Sequence, residues 1–297
     1  MGPEEEAVTE EVVRLGWPTH VRCRGLGGAE AAFTTRLEPF GMGPHGIAGS
    51  GAHGGGPANG RGPAASAWAW AAARALGFAG HAIAKATQVH GVGVKAISAA
   101  AGWGRPDGVT APGPGRTGSG GPSGLLELGE CDSAVCDVPG VALMTLHADC
   151  APVYLYDARR HAMGLAHSGW KGTAGSVAVK AAEAMSAAFG TDAGDLCAYV
   201  GPYIKGCCYE VGDAVASAMA KDWAPAPGIR SRDGRLTVDL GEVIRRDLVG
   251  VGVDRRRICV SGLCTSCGEG LFHSHRRDGA GAGRMAAFMW LRERPAH

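Results

Sequence analysis

The sequence predicts one α/β domain with a mixed β-sheet core and flanking helices. Short apolar segments bounded by turn residues alternate with segments of helical periodicity, but their order does not repeat as strand, helix, strand. The 297 residues are 45% hydrophobic, which is enough to bury a substantial core. We therefore expect a partly antiparallel sheet rather than a strictly parallel βαβ arrangement.

The first half of the chain contains a helix and a group of strands. Residues 67–77 are predicted as a helix that stops near Gly77, and residues 85–97 as a strand-like segment interrupted by His90 and Gly91. The most regular region is 132–169, where short turns separate four predicted strands: DSAVCDV, VALMTLH, PVYLYD and AMGLAHS.

The second half continues this mixture. Residues 172–190 are predicted as a helix, with Thr173 or Ser176 near its start and Gly190 as its C-terminal cap. The remaining predicted elements are a strand at 196–204, a helix at 212–223, a strand passing into a helix at 236–253, and a strand at 257–263.

Two segments, 41–66 and 104–124, are dense in Gly, Pro and Ser. They offer too little apolar surface to offset the entropy of ordering them, so we expect mobile loops. They are not predicted to be interdomain linkers, because chemically informative motifs lie on both sides of the second segment. We therefore divide the chain into an N-terminal extension, 1–30, and one catalytic domain, 31–297.

Composition and charge limit the classes of partner. The net charge of +1 and pI of about 7.6 give no global electrostatic case for nucleic acid or an anionic membrane. The first thirty residues lack the pattern of a signal peptide, and no apolar run approaches the ~18 residues of a membrane span. The ten cysteines then indicate reduced thiols in a cytoplasmic protein.

Three stretches place a His or a Cys where an apolar strand meets an irregular turn: TQVHG, HADC and AHSGWKG. Strand ends are where side chains from distant segments can converge. Two imidazoles and one thiolate, His90, Cys150 and His167, would suit zinc and leave a fourth position open for water or substrate. From spacing alone, the alternative is two satisfied histidines and a buried free cysteine.

Longer motifs carry a resemblance to a known family. In order along the chain they are VHG, DSAVCDVPGVALMTLHADCAPVYLYD, GLAHSGWKGT, VGPYIKGCCYEVG and CTSCGEGLFHSHRRDGAGAGRM. They resemble the laccase-domain family, also called YfiH-type or multicopper polyphenol oxidase-like, from about Thr87 to Met285. The resemblance implies a YfiH-like, cysteine-hydrolase-type fold and a metal-binding catalytic centre at His90, Cys150 and His167.

The resemblance also implies an activity on purine nucleosides. One reaction is phosphorolysis of adenosine, inosine or methylthioadenosine, and the other is deamination of adenosine. The implied partners are a nucleoside and phosphate; the implied metal is Zn²⁺, with Cu²⁺ as the alternative, and the oligomeric state stays open. Two other activities compete: an amidase that edits peptidoglycan precursors with Cys150 as nucleophile, and copper-dependent polyphenol oxidation. The second is disfavoured, because the multicopper route needs several HxH pairs and this chain has one among 11 His.

Five further residues are candidates for holding substrate or phosphate. Lys171 lies at a predicted helix start, where an anion is favoured, or is a solvated surface lysine. Arg276 and Arg277 could grip phosphate, one of them more readily than both, and Arg36 is a weaker candidate. Asp149 could orient a ligand His or act as a general base, or it could make a structural hydrogen bond at its turn.

Other residues have a structural interpretation at this stage. Cys264 belongs to a lone CxxC motif with no second pair at zinc-ribbon spacing, so we expect it to be structural and near the site at most. Cys207 and Cys208 are interpreted as packing thiols. His147 could be an additional ligand, but strand alternation favours a side chain that points away from Cys150 or packs in the core. Trp170 could stack on a ring substrate or pack under the helix.

Overall fold

The computed structural model describes residues 9–15, 17–24, 26, 28–35, 72–74, 76–78, 81–98, 124–220, 228–232 and 234–292. The predicted loop 41–66, the predicted loop 104–124 apart from its last residue, and Arg36 lie outside the described residues. None of the helices in these ranges combines the length and apolar character that a membrane-spanning helix requires.

A seven-stranded sheet has the strand order β1-β2-β3-β16-β8-β4-β6. Its strands β4, β6 and β8 pair in parallel, and the other pairs are antiparallel. The strand bounds are β1 Thr9–Leu15, β2 Trp17–Arg24, β3 Ala29–Thr34, β4 Ala82–Thr87, β6 Leu125–Glu130, β8 Val141–His147 and β16 Met285–Leu291.

A six-stranded sheet has the order β15-β11-β9-β10-β7-β5, with parallel pairs at both edges and antiparallel pairs between them. Its strand bounds are β5 Val94–Ile97, β7 Ser133–Cys136, β9 Ala151–Asp157, β10 Ala162–Ser168, β11 Leu196–Val200 and β15 Ile258–Val260. A small sheet contains β12 Glu210–Val211, β13 Ile229–Arg232 and β14 Arg235–Val238.

Five α-helices have bounds that the structure gives in full: α1 Trp170–Ala174, α2 Val177–Phe189, α3 Asp213–Ala220, α4 Leu240–Gly250 and α5 His275–Asp278. The helix predicted at 172–190 is therefore two helices. Gly175 caps α1, and Ser176 adopts a left-handed conformation (φ 57°) before α2. The predicted end of α2 at Gly190, with φ 69°, is confirmed. Helical residues 72–74 and 76 are followed by Gly77, where the predicted helix ends.

The two large sheets stack face to face, and strand alternation divides their side chains between separate cores. In β3, Phe33 faces the core between the sheets, and Ala32 faces a core shared with the helical residues Ala72, Ala73 and Leu76. The opposite face of the six-stranded sheet packs on helices α2 and α4, for example through Val153 and Val243. The molecule is thus a stack of helices, sheet, sheet and helices.

The predicted mixed α/β class is confirmed, with the core shared between two large sheets. Residues 9–15 and 17–24, which were assigned to an N-terminal extension, form two outer strands of the seven-stranded sheet. No strand was predicted for 285–291, yet β16 pairs with both β3 and β8. Strand β8 ends at His147 and strand β10 ends at Ser168, and residues next to both ends line the same cavity, which contains the candidate site.

Candidate active site

The three predicted ligands meet. His90 lies in the turn between β4 and β5, Cys150 in the turn between β8 and β9, and His167 near the end of β10. One ligand atom from each lies within 4.8 Å of the others, and the two imidazole rings are 5.0 Å apart between centroids. His167 is buried, Cys150 is half-buried and His90 is exposed, so the group opens to solvent on the His90 side.

Asp132, to which the sequence analysis gave no role, anchors both histidines. Its buried carboxylate accepts backbone N–H bonds from Val89 (3.2 Å), His90 (2.9 Å) and Gly91 (2.6 Å). The same carboxylate bonds Nδ1 of His167 at 2.9 Å, which leaves Nε2 for a metal or for Cys150. His90 has a φ of 59°, a left-handed conformation in which successive N–H groups can converge on one anion.

The charges of the centre support one another. Burial would raise the pKa of the Cys150 thiol, but the charge of His167 and hydrogen bonds from both histidines lower it to about 6. Burial would likewise lower the pKa of His167, but the Cys150 thiolate and the Asp132 carboxylate raise it to about 9. Burial would raise the pKa of Asp132, but the hydrogen bonds that its carboxylate accepts from His167 and from the backbone of the His90 turn lower it. Cys150 is therefore a thiolate near neutral pH, the form that binds metals or attacks carbon.

Gly169, within the HSGW motif, leaves the space that this cluster needs. A Cβ at this position would lie 2.9 Å from Sγ of Cys150 and 3.2 Å from Cδ2 of His90. Only a residue without a side chain therefore lets the thiol and the imidazole approach each other at the start of α1.

Asp149 makes the structural hydrogen bonds that were one of its predicted alternatives. Its side chain accepts from the Thr265 hydroxyl (2.6 Å) and from the Arg276 backbone N–H (2.7 Å). Its backbone is left-handed, with φ 88°, which turns the chain sharply just before Cys150. Asp149 thus ties the Cys150 turn to the start of α5.

The centre lines one end of a cavity of about 560 Å³, a volume in the range of small-ligand sites. Three cationic side chains also line it: Lys85, Arg276 and Arg284. Of these only Arg276 was a sequence candidate; Lys85 could have been noticed as a charged residue inside an otherwise apolar strand. Trp170 lines the cavity with an exposed ring, which favours the stacking alternative over packing under the helix.

Lys171 and Arg277, two further predicted cations, do not line the cavity. Arg277 donates to the backbone carbonyls of Thr265, Ser266 and Phe272 and pairs with Asp278, so its guanidinium holds two turns together. Lys171 is exposed, lies over the Trp170 ring at 5.6 Å and is not among the cavity-lining residues. Of the two neighbouring arginines, the structure puts only Arg276 at the cavity.

His147 is confirmed as a core residue outside the centre. Its Nε2 bonds the Thr145 hydroxyl at 2.8 Å and its Nδ1 bonds the Cys150 carbonyl at 3.0 Å. Burial and the neighbouring charge of His167 hold its pKa well below the usual range, so the ring is neutral.

The interpretation of Cys207 and Cys208 as packing thiols is wrong. Cys207 is exposed, Cys208 is half-buried, and both lie beside Cys264 and Cys267. The second thiol pair that the CxxC motif lacked in sequence is therefore supplied in space, about sixty residues away.

Comparisons with known proteins identify relatives of this chain. Purine nucleoside phosphorylase YlmD of Geobacillus stearothermophilus is 38% identical over 165 residues, which cover 54% of this chain and 60% of that protein. The purine nucleoside phosphorylase of Deinococcus radiodurans is 35% identical over 226 residues, which cover 75% of each chain. The alignment with YlmD thus spans about three fifths of that protein's length.

Solved structures extend this likeness to the whole fold. The crystal structure of YlmD from Geobacillus stearothermophilus has a TM-score of 0.74 at 29% identity and covers 97% of this chain and 100% of that one. Bacillus licheniformis YfiH gives a TM-score of 0.74 at 30% identity, covering 94% and 98%. Residues 31–292 match the profile described as multi-copper polyphenol oxidoreductase laccase. The chain belongs to the multi-copper polyphenol oxidoreductase laccase family.

Proposed function

We propose that this protein is a purine nucleoside phosphorylase that also deaminates adenosine, with His90, Cys150 and His167 as its centre. The observation that carries the proposal is the convergence of these three side chains on a cavity of nucleoside size. The names of the related proteins, which include several purine nucleoside phosphorylases, support the substrate class. Nucleoside and phosphate are the proposed partners, and the reducing cytoplasm is the proposed compartment.

The donor set fits zinc. Two imidazole nitrogens and one thiolate with an open fourth position are typical of catalytic zinc sites, and Asp132 behind His167 is the usual supporting carboxylate. Bound zinc would lower the pKa of a water molecule at the open position and so supply the hydroxide that deamination needs. Copper is the weaker choice, because the candidate metal groups of the described residues contain only two histidines in total.

The cavity residues would bind the substrates. Arg276, Arg284 and Lys85 give the cavity wall the positive charge that phosphate requires. The exposed face of Trp170 offers a stacking surface for a purine. In phosphorolysis, a phosphate oxygen bonds to C1′ of the ribose while the bond to the purine nitrogen breaks, and the base leaves with that electron pair and a proton.

The test separates the two reactions by their products. Purified, zinc-loaded protein is incubated with inosine or methylthioadenosine, with and without phosphate, and the products are resolved by chromatography. We expect free base and the corresponding sugar 1-phosphate only when phosphate is present. Adenosine without phosphate should yield inosine.

Two variants serve as controls. Cys150→Ala should abolish both reactions, and Cys197→Ala, at a half-buried thiol outside both cysteine-containing metal groups, should retain them. If wild-type protein forms neither base nor inosine above the Cys150→Ala level, the proposed function is wrong.

A second candidate, a thiol-dependent amidase, is favoured by one specific observation. Asp132, His167 and Cys150 are connected in series, and the Cys150 pKa is lowered to about 6, as in a cysteine nucleophile activated by a histidine. A metal-bound thiolate would be a poor free nucleophile, so metal content separates the candidates. If the protein stays metal-free after exposure to zinc and Cys150 is alkylated rapidly, the amidase is favoured. If the protein binds about one zinc at this centre and Cys150→Ala loses it, the nucleoside enzyme is favoured.

A further inference from the structure

Four cysteines form a second cluster outside the active centre. One sulfur from each of Cys207, Cys208, Cys264 and Cys267 lies within 4.8 Å of the others. Sγ of Cys267 is 3.5 Å from that of Cys207 and 3.3 Å from that of Cys208. In a tetrahedral zinc–thiolate site with Zn–S bonds of ~2.3 Å, neighbouring sulfurs are about 3.8 Å apart. The four free thiols therefore already surround a space close to the size of one zinc ion.

Backbone N–H groups surround the sulfur of Cys264. Cys264 is buried and receives hydrogen bonds from the backbone N–H of Lys205, at 3.5 Å, and from those of Ser266 and Cys267. Such N–H bonds to sulfur stabilise its charged form and direct it, as supporting bonds do around metal ligands.

Two cations bond backbone carbonyls near the cluster, and each also pairs with a carboxylate, Lys205 with Asp239 and Arg277 with Asp278. The ammonium of Lys205 donates to the Ser261 carbonyl at 2.8 Å. The guanidinium of Arg277 donates to the carbonyls of Thr265 and Ser266, inside the CxxC motif. Without a metal, two exposed thiols, Cys207 and Cys267, would face each other with only weak S–H interactions to hold them.

The cluster connects two turns that are distant in sequence. In the first, the N–H groups of Cys208 and Tyr209 bond the Lys205 carbonyl; in the second, Gly268 bonds the Cys264 carbonyl. The bond from Thr265 N–H to the Tyr203 carbonyl already joins them. A shared metal would close this long loop at little further ordering cost.

We propose that Cys207, Cys208, Cys264 and Cys267 bind one structural zinc ion, separate from the His90–Cys150–His167 centre. This zinc ion would stabilise two turns that neighbour the cavity wall. Tyr209, beside Cys208, lines the cavity, and Thr265, beside Cys264, holds the Asp149 carboxylate at 2.6 Å.

Metal analysis tests the site. Protein purified under reducing conditions without chelators is saturated with zinc, freed of excess by gel filtration and measured by mass spectrometry of the metal. We expect Cys207→Ser and Cys267→Ser each to hold one zinc per chain less than wild type. The control Cys197→Ser should match wild type, because that thiol belongs to neither cluster.

Cobalt substitution gives a readout that does not depend on activity. In a Cys150→Ser background, thiolate-to-cobalt charge transfer should persist, and addition of Cys267→Ser should reduce it strongly. In the same background, chelation should lower the melting temperature, and should do so less once Cys267 is replaced. If the active-centre proposal fails, Cys150→Ser should instead keep the wild-type zinc content while Cys207→Ser and Cys267→Ser still lose one zinc per chain, so the two proposals fail separately.

Three results would overturn the proposal. The first is an unchanged zinc content in Cys207→Ser and Cys267→Ser. The second is iron with acid-labile sulfide in place of zinc. The third is a disulfide among the four cysteines, seen as a mass lower by two hydrogens in natively purified protein that does not take up zinc.

Discussion

At the scale of single residues, Asp132 has the widest influence on the centre. We expect Asp132→Asn to lower kcat by about 10–100-fold, the usual cost of losing a carboxylate behind a metal ligand. One carboxylate oxygen of Asp132 now accepts hydrogen bonds from the N–H groups of Val89 and Gly91. An amide nitrogen in its place would face these donors without being able to accept from them. Asp137→Asn, in the same segment, is the matched control and should stay near wild-type activity; equal losses in both variants would contradict this role.

Gly169 gives a second residue-scale prediction. Gly169→Ala should displace the Cys150 thiol or the His90 ring, because its Cβ would lie 2.9 Å from Sγ. Its φ of −78° suits alanine, so the cost is local crowding and not backbone strain. We expect a lower zinc content and activity with a nearly unchanged melting temperature. Gly262→Ala, whose Cβ would meet nothing within 4 Å, should alter none of the three.

The convergence of the three proposed ligands could be predicted from the sequence, but Asp132 and the cysteine cluster could not. His90, Cys150 and His167 stand in distinctive motifs at strand ends. Asp132 precedes an ordinary apolar strand, and its importance arises from four hydrogen bonds to residues distant in sequence. Cys207 and Cys264 are likewise joined only by the packing of two turns.

At the scale of elements, helix α5 directs two neighbouring arginines to different parts of the molecule. Successive helical residues point about 100° apart, so Arg276 reaches the cavity and Arg277 reaches the carbonyls behind it. Arg276→Ala should raise the KM for phosphate by about 10–100-fold, equivalent to a charge-assisted hydrogen bond of ~1.5–3 kcal/mol. Steady-state kinetics at varied phosphate measures this effect.

Arg277→Ala is the companion variant. It leaves three backbone carbonyls without their guanidinium donor and should lower stability by about 1–3 kcal/mol, measured by urea denaturation. If Arg277→Ala changes the phosphate KM while Arg276→Ala changes only stability, the assignment of the two arginines is reversed.

Element boundaries were predictable where local chemistry sets them. Asp239 caps α4 with its side chain, and Gly190 ends α2 in a left-handed conformation, as the sequence indicated for Gly190. The sequence did not predict the break between α1 and α2. Serine is a favoured capping residue, but the Ser176 side chain does not cap α2. Its backbone takes a φ of 57° and its hydroxyl donates to Asp247 at 3.0 Å. That partner lies on α4, so only tertiary structure explains the break.

At the scale of the whole molecule, strand β16 joins the late chain to the early chain between β3 and β8. Met289 is fully buried in the core between the two sheets. Met289→Ala should cost about 2–5 kcal/mol of unfolding free energy through lost burial and the resulting cavity. Urea denaturation measures this loss, and Val251→Ala, at an exposed position, should cost much less.

The sequence predicted the mixed class but not the stacking of two sheets. The run of apolar residues in a strand such as β9 indicates burial on both faces. It does not indicate whether a helix or a second sheet covers each face. Here Val153 faces helices and Tyr154 faces the other sheet. That choice depends on strand pairings across the full chain.

The single carboxylate shared by His90 and His167 also determines how the centre assembles. Because Asp132 bonds the backbone of the His90 turn and the ring of His167, folding places that turn and orients the His167 imidazole before any ion arrives. The entropy of ordering these ligands is then part of the folding cost, and an incoming ion meets a preorganised site. The His90 turn and the His167 ring should therefore become ordered together when the chain folds.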